Sequence, residues 1–406
     1  MRVLSIAVAH PLRLVNGATN AARSLSRATA ELVDIDFAVM WNQDELVQHG
    51  PLVEQRFKCT NMLDFAGHLV PRSVKVPLYD SRISTLVSAK DYDIVHLHNL
   101  IPSFAAERLA RRCEAAGVPY VVSTHGFNEL SNFAKINHFG PLKSLVANWV
   151  ITRPFHRIVK GAAAIFALSD QEHEMLNALG VADDRIHIVT NGVDDYYLQA
   201  PTDDERQHVM RKFSLSSKRK LLFMGSLHAY KGVDVYLASL EFTVMPVQAI
   251  VAGRFTDEEH KRGILARSGL GTDRAKAVVF TGEVTNAELR ALYNVVDVFV
   301  YPTNGDTLPL VLLEAMACKL PVVSTPIGGI PFAVQSDTGI LVPPNQPAAI
   351  ASAVDELLAD SRRCSLMGER GHQRVQSRFR WNSAAAAAVK AYANVLATRP
   401  AKMPST

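Results

Sequence analysis

The chain has 406 residues, 48% of them hydrophobic, which is too long for one ordinary core and enough for two. No apolar run reaches the roughly 18 residues of a membrane-spanning helix. Four scattered cysteines, Cys59, Cys113, Cys318 and Cys364, form no C-x-x-C pair, which excludes a disulfide framework and a metal knuckle. The formal charge of +4 is modest and no nucleic-acid motif accompanies the basic residues, so nucleic acid is not an expected partner.

From the amino terminus, Val3 to Ala9 reads as a buried strand, too short for the core of a signal peptide, so a cytoplasmic location is expected. After the loop HPLRLVNG, the residues Ala21, Ala22, Leu25, Ala28 and Leu32 recur at helical spacing. Gly17 stands at this loop-helix junction, where a missing Cβ would admit a phosphate to the backbone or simply serve a helix-entry turn; the pattern is not G-x-G-x-x-G. Strands follow near Ile35 to Met40 and Ile94 to His98, with no clear reading from about Gln43 to Leu86. Then come a helix from about Phe104 to Ala116, a stop at Gly117, and the strand Tyr120 to Ser123, which delivers His125 and Gly126 at its carboxyl end. His125 can act on a hydroxyl or phosphate or be structural, while His96 and His98 read as structural.

The acid-free stretch from Lys135 to Lys160 mixes basic with apolar residues and could face anionic lipid, but Pro154 is expected to interrupt a long surface helix, which favours an ordinary amphipathic helix with a solvated basic face. Ala163 to Ala167 is a short strand, and Ser169 with Glu172 reads as a capping box. The polar stretch Asp194 to Ser217 reads as the interdomain boundary. Beyond it the pattern restarts: Leu221 to Met224 leads to Gly225, Ser226, Lys231 and Gly232, and Lys231 can neutralise a phosphate. Val247 to Ala252, Val278 to Thr281, Val298 to Tyr301, Val322 to Ser324 and Ile340 to Val342 are further strands, with a capping box at Thr285 and Glu288. The remainder is mostly helical, and the tail from Arg362 is basic.

The richest stretch is YPTNGDTLPLVLLEAMACKLPVVSTPIGGIP, residues 301–331. Asp306 lies in a loop after a strand, and Glu314 lies within an apolar helix, where a carboxylate rarely goes without a partner. Pro309 suits the first helical turn, leaving the N–H groups of about Leu308, Pro309's successors Leu310 and Val311 to meet an anion. Two acceptor carboxylates flanking an anion turn suggest a nucleotide-sugar pocket.

DTLPLVLLEAMACKLPVVSTPIGGIP resembles the signature of family 4 glycosyltransferases, retaining enzymes of the GT-B fold. DIVHLHNL, VVSTHG, FALSDQE, IVTNGVD, LLFMGSLHAYKGVD, VVFTGEV and LYNVVDVFVYPT fall in that family's order over nearly the whole chain. The resemblance implies an α/β protein with two Rossmann-like doubly wound domains facing across a cleft. These are an acceptor-side domain over residues 1–195, completed by a helix at about 381–398, and a donor-binding domain over 196–380. Asp306 and Glu314 match the family's E-x7-E pair, which implies that Asp306 holds donor-sugar hydroxyls and Glu314 the ribose; the first position departs from glutamate. The family's phosphate-binding Arg and Lys fall on Ser226 and Lys231, so the arginine is absent, and either Lys231 with backbone donors suffices or another arginine reaches in. Asn16 and Gly17 match the family's Gly-Gly pair, and His125 its active-site histidine.

The implied activity is transfer of a sugar, of the hexosyltransferase type, from a nucleoside diphosphate sugar to a hydroxyl of a glycan or lipid-linked acceptor. Anomeric configuration would be retained, as in surface polysaccharide or glycolipid synthesis. No cofactor and no obligatory metal are implied. The expected partners are the donor and the acceptor; peripheral contact with the inner face of an anionic membrane through residues 135–160 is a further candidate, read from the residues and not from the resemblance. A nucleotide-sugar epimerase of the same fold and a silent sugar or nucleotide binder remain alternatives.

Overall fold

The computed structural model describes residues 1–10, 17–61, 63–64, 75–88, 91–125 and 140–398, and for 141–143 the backbone alone. Asn16, Gly126 and Lys135 lie outside the described residues. Contacts divide the chain into one unit of Met1–Gly192 with Trp381–Thr406 and a second of Val193–Arg380. The division falls at the Asn191-Gly192 turn, ahead of the 195/196 boundary expected from sequence. The polar stretch 194–217 is no linker: it contains the turn Asp195–Leu198 and the helix Asp203–Lys212 of the second unit. A full capping box explains this, because Thr202 accepts from Glu205 N–H while Glu205 accepts from Thr202 N–H. Arg290 grips both Glu205 oxygens at 2.8 and 2.9 Å, so a charged run becomes a docked helix.

Among the described residues the first unit holds strands β1 (Arg2–Ala7), β2 (Asp34–Trp41), β3 (Glu45–His49), β4 (Leu52–Asn61), β5 (Tyr79–Ser81), β6 (Ile94–His98), β7 (Tyr120–Ser123), β8 (Ala164–Ala167) and β9 (Ile186–Ile188). Their order is β3-β4-β2-β1-β6-β7-β8-β9, with β5 on β4; the strands from β4 to β9 along this path are parallel. The β3–β4 hairpin hid from the sequence reading because β4 does not alternate. Its Glu54 is fully buried, met by Arg23, Arg56 and His49. The helix Trp381–Ala397 packs on Gly17–Thr29 in this unit, and Ala384, Ala385 and Ala388 are buried, small enough to let backbones approach.

Pro154 does not break the basic stretch. Helix Pro141–Ala147 continues through a π turn, Asn148–Thr152, into helix Arg153–Gly161, and the wider turn accommodates the missing N–H. The Ser169 box is half formed. Ser169 accepts from Glu172 N–H, but the Glu172 carboxylate turns to Leu168 N–H and the Thr124 hydroxyl.

The second unit is a six-stranded parallel sheet among the described residues. Its strands are β10 (Arg219–Met224), β11 (Val247–Ala252), β12 (Val279–Gly282), β13 (Val298–Tyr301), β14 (Val322–Ser324) and β15 (Gly339–Leu341), in the order β12-β11-β10-β13-β14-β15. Strands covered on both faces read as continuous apolar runs, as in VFVY of β13. Chain order reverses between β1 and β6 in one unit and between β10 and β13 in the other. Open α/β sheets bind ligands at the carboxyl ends of such strands.

Candidate active site

In the second unit, the loops after β10 and β13 meet at the point where strand order reverses. The aromatic rings of Phe223 and Phe299 stack against Tyr301 with centroids 5.5 and 5.9 Å apart, fixing the tyrosine at the end of β13. Its hydroxyl donates to Asp306 Oδ2 at 2.8 Å. Thr303, also fully buried, has its hydroxyl 2.9 Å from the same oxygen and 3.2 Å from the Tyr230 carbonyl, so its one proton serves either. Lys231 Nζ pairs with Asp306 Oδ1.

The loop carrying Lys231 is fixed by Gly232, whose φ is +81°. A Cβ there would lie 2.0 Å from the Pro302 carbonyl oxygen, so only glycine lets the two loops close. Asn304 N–H donates to the Tyr230 carbonyl at 2.7 Å, and Gly329 N–H to that of Thr307, which joins three loops around Asp306.

Leu308 and Pro309 are buried, and Pro309 is the cap preceding helix Leu310–Ala317 rather than part of its first turn. The N–H groups of Leu310 and Val311 therefore stand at the helix start without intrahelical acceptors. Glu314 lies half-buried on this helix. Burial pushes its carboxyl up to about 7; the Tyr293 hydroxyl, 3.4 Å from Oε2, works against that, and the charge of Asp194 works with it. Tyr293 also donates to the Val311 carbonyl at 3.1 Å, so a protonated Glu314 can donate to the phenol oxygen. Ser226 is exposed just beyond β10, with no charge of its own.

In the first unit, Gly17 opens helix Gly17–Thr29, where a Cβ would meet only open space. His125 follows β7 with φ +49°. Its Nε2 lies 3.0 Å from Nδ1 of His98, because the parallel register pairs His98 with Ser123. Burial lowers the His125 imidazole to about 4 and holds fully buried His98 well below its ordinary value, so both are neutral at pH 7. His96, between Tyr392 Oη at 2.6 Å and Ser123 Oγ at 2.9 Å, is structural as expected. The contact of His98 with His125 is what sequence reasoning did not foresee. Its signal is the alternation His96-x-His98 at the end of a strand adjoining the one that presents His125.

Among the described residues, no group of three or more His, Cys, Asp or Glu side chains could hold a metal ion. Among the described residues no helix is long and apolar enough to cross a membrane.

Residues 218–360 match the family described as glycosyl transferases group 1, and residues 15–196 match glycosyltransferase family 4. The D-inositol 3-phosphate glycosyltransferase of Xylanimonas cellulosilytica is 31% identical over 328 residues, covering 77% of this chain and 74% of that one. Among solved structures, sucrose-phosphate synthase from Thermosynechococcus elongatus superposes with TM-score 0.74 at 21% identity, over 98% of this chain and 100% of that one. HepE of Anabaena, solved in complex with UDP-glucose, gives TM-score 0.73 at 18% identity, over 98% and 100%. The signature around Asp306 and Glu314, the two parallel sheets and these matches agree: the chain belongs to the family 4, group 1 glycosyltransferases and has their GT-B fold.

Proposed function

We propose that the enzyme moves a hexose from a nucleoside diphosphate sugar to an acceptor hydroxyl with retention of anomeric configuration, in surface polysaccharide or glycolipid synthesis. The observation that carries this reading is the Lys231–Asp306 pair set beside the start of helix Leu310–Ala317. A cation and free helix-start N–H groups suit a diphosphate, and two carboxylates suit hydroxyl-rich groups.

In this reading Lys231 and the N–H groups of Leu310 and Val311 stabilise charge on the departing β-phosphate. Asp306 orients Lys231 and, with the acceptor capacity its internal partners leave, holds a sugar hydroxyl. Glu314 receives the ribose. By the family resemblance, neutral His125 is assigned to the sugar and acceptor, and Gly17 and Ser226 to the phosphates. The anomeric carbon–phosphate oxygen bond breaks, the bond to the acceptor oxygen forms on the same face, and the acceptor proton passes to the departing phosphate. The reaction needs no cofactor and no obligatory metal. Peripheral contact with anionic lipid through the helical stretch 141–161, at the inner face of the membrane, is part of the proposal.

The test is a panel of UDP-, GDP- and ADP-hexoses scored for nucleoside diphosphate release. UDP-glucose comes first because HepE was solved with it. Inositol 3-phosphate and lipid-linked sugars serve as acceptors, the former because of the name borne by the 31% identical relative. Product NMR should show the donor's anomeric configuration, and Lys231→Ala should cut turnover by about 100-fold with the fold intact. Absence of release across the panel, or an inverted product, would overturn the reading.

A further inference from the structure

We infer that Arg254 is a second cation for the donor's diphosphate, an inference that rests on the donor reading above. Lys231 is already paired with Asp306 inside its own unit. An arriving diphosphate therefore meets a pair whose charges cancel, and it needs positive charge that no carboxylate has claimed.

The register of β10 and β11 places that charge. The two strands run parallel, with Met224 opposite Ala252 as their last pair. The ladder continues one step, since Gly225 N–H donates to the Ala252 carbonyl at 3.1 Å. Gly253 then packs under Gly225: a Cβ on it would lie 2.2 Å from the Gly225 carbonyl oxygen and 3.1 Å from the Leu227 side chain. Ser226 and Arg254 are the next residues along the two segments. His260 fastens the second loop to the first through a 3.2 Å hydrogen bond between its Nε2 and the Leu227 carbonyl. Arg254 thus adjoins the loop of Ser226 to Lys231 at the carboxyl ends of both strands.

Arg254 is exposed, and among the described residues it has no hydrogen-bond or ion-pair partner. The two nearest acids that follow it are turned elsewhere. Asp257 caps the next helix by accepting from His260 N–H at 2.7 Å, and Glu258 approaches Lys261 at 3.9 Å. A planar, permanently charged guanidinium on a loop locked by two glycines suits bidentate contact with a phosphate.

The test is isothermal titration calorimetry of the full chain with UDP, GDP and ADP, and with the parent nucleosides as controls. Arg254→Ala should weaken the tightest-bound diphosphate about 10-fold or more, leave its nucleoside unchanged and flatten the dependence on salt. Arg254→Lys should recover part of the loss. Ser226→Arg in the Arg254→Ala background should also recover it, because the two positions adjoin. An Arg254→Ala protein that binds the diphosphate like wild type, while Lys231→Ala does not, would sink the role of Arg254 and leave the donor reading standing. A wild-type protein that binds none of the three diphosphates would remove the donor reading and this inference with it.

Discussion

Glu314 lies among buried Leu312, Leu313, Ala315 and Met316 and meets the phenol of Tyr293. Its carboxyl titrates at about 7 in the folded protein and at about 4.5 in an unfolded chain. Between these values the folded protein keeps a proton that the unfolded chain has lost. The residue's contribution to stability is therefore greatest below about pH 4.5 and declines as pH rises toward 7, the opposite of an ion-paired carboxylate. Glu314→Gln, which cannot ionise, should match wild type near pH 4.5 and exceed it at pH 8 by about 1–3 kcal/mol in urea unfolding. Donor turnover should nevertheless fall, the usual trade between a stable and a working site. An identical stability difference at both pH values would discard the desolvation account. Asp306, Glu314 and Lys231 are legible in the sequence because a charge beside glycine, or inside an apolar run, is locally anomalous. Their partners are not: Tyr301, Thr303 and Tyr293 look like ordinary core residues, and only the folded chain brings Tyr293 to Glu314 across 21 positions.

Among the elements, the second array of strands was legible from its apolar runs, whereas the β3–β4 hairpin was not, because buried Glu54 replaces alternation with an ion cluster. The stretch 141–161 shows the same limit in another form. Proline reads as a break, yet the π turn before it keeps the helical course and leaves Leu145, Val146 and Trp149 exposed by 66%, 54% and 64%. Apolar side chains so far out of the core are the strongest local argument for a lipid surface. The basic residues contribute less than the sequence suggests. Arg157 is paired with Glu114 at 2.7 Å and approaches Glu107, leaving Arg153 and Lys160 exposed. Leu145→Ser with Trp149→Ser should lower the fraction bound to phosphatidylglycerol vesicles several-fold. Arg153→Glu with Lys160→Glu should lower it less, and Arg157→Glu is confounded by its ion pairs. A bound fraction unaltered by the apolar pair would reject membrane contact through this stretch.

At the scale of the whole molecule, the two units carry opposite responses to mild acid. The first unit buries His96 and His98 and half-buries His125, at and just beyond the ends of adjoining strands, and desolvation holds all three imidazoles below their ordinary value. An unfolded chain takes up protons at these residues as pH falls through about 6.5, while the folded unit does not. The stability they contribute is therefore full above 6.5 and declines below it, by roughly 1 kcal/mol per pH unit for each fully buried ring. His49, His156 and His187, all in the same unit, are shifted in the same direction. The second unit contains Glu314, whose contribution grows over the same interval. Its ion-paired Glu288, held near 2, begins to cost stability only below about 4.5. Hydrogen exchange on the full chain at pH 7.5 and 5.5, corrected for intrinsic rates, should show β1, β6 and β7 losing protection while β10 and β13 hold or gain it. His98→Gln should blunt the loss in the first unit and leave the second unchanged. Parallel shifts in both units would show that these buried groups do not govern the response. A first unit equally protected at both pH values would mean that the three histidines take up their protons without disturbing the fold.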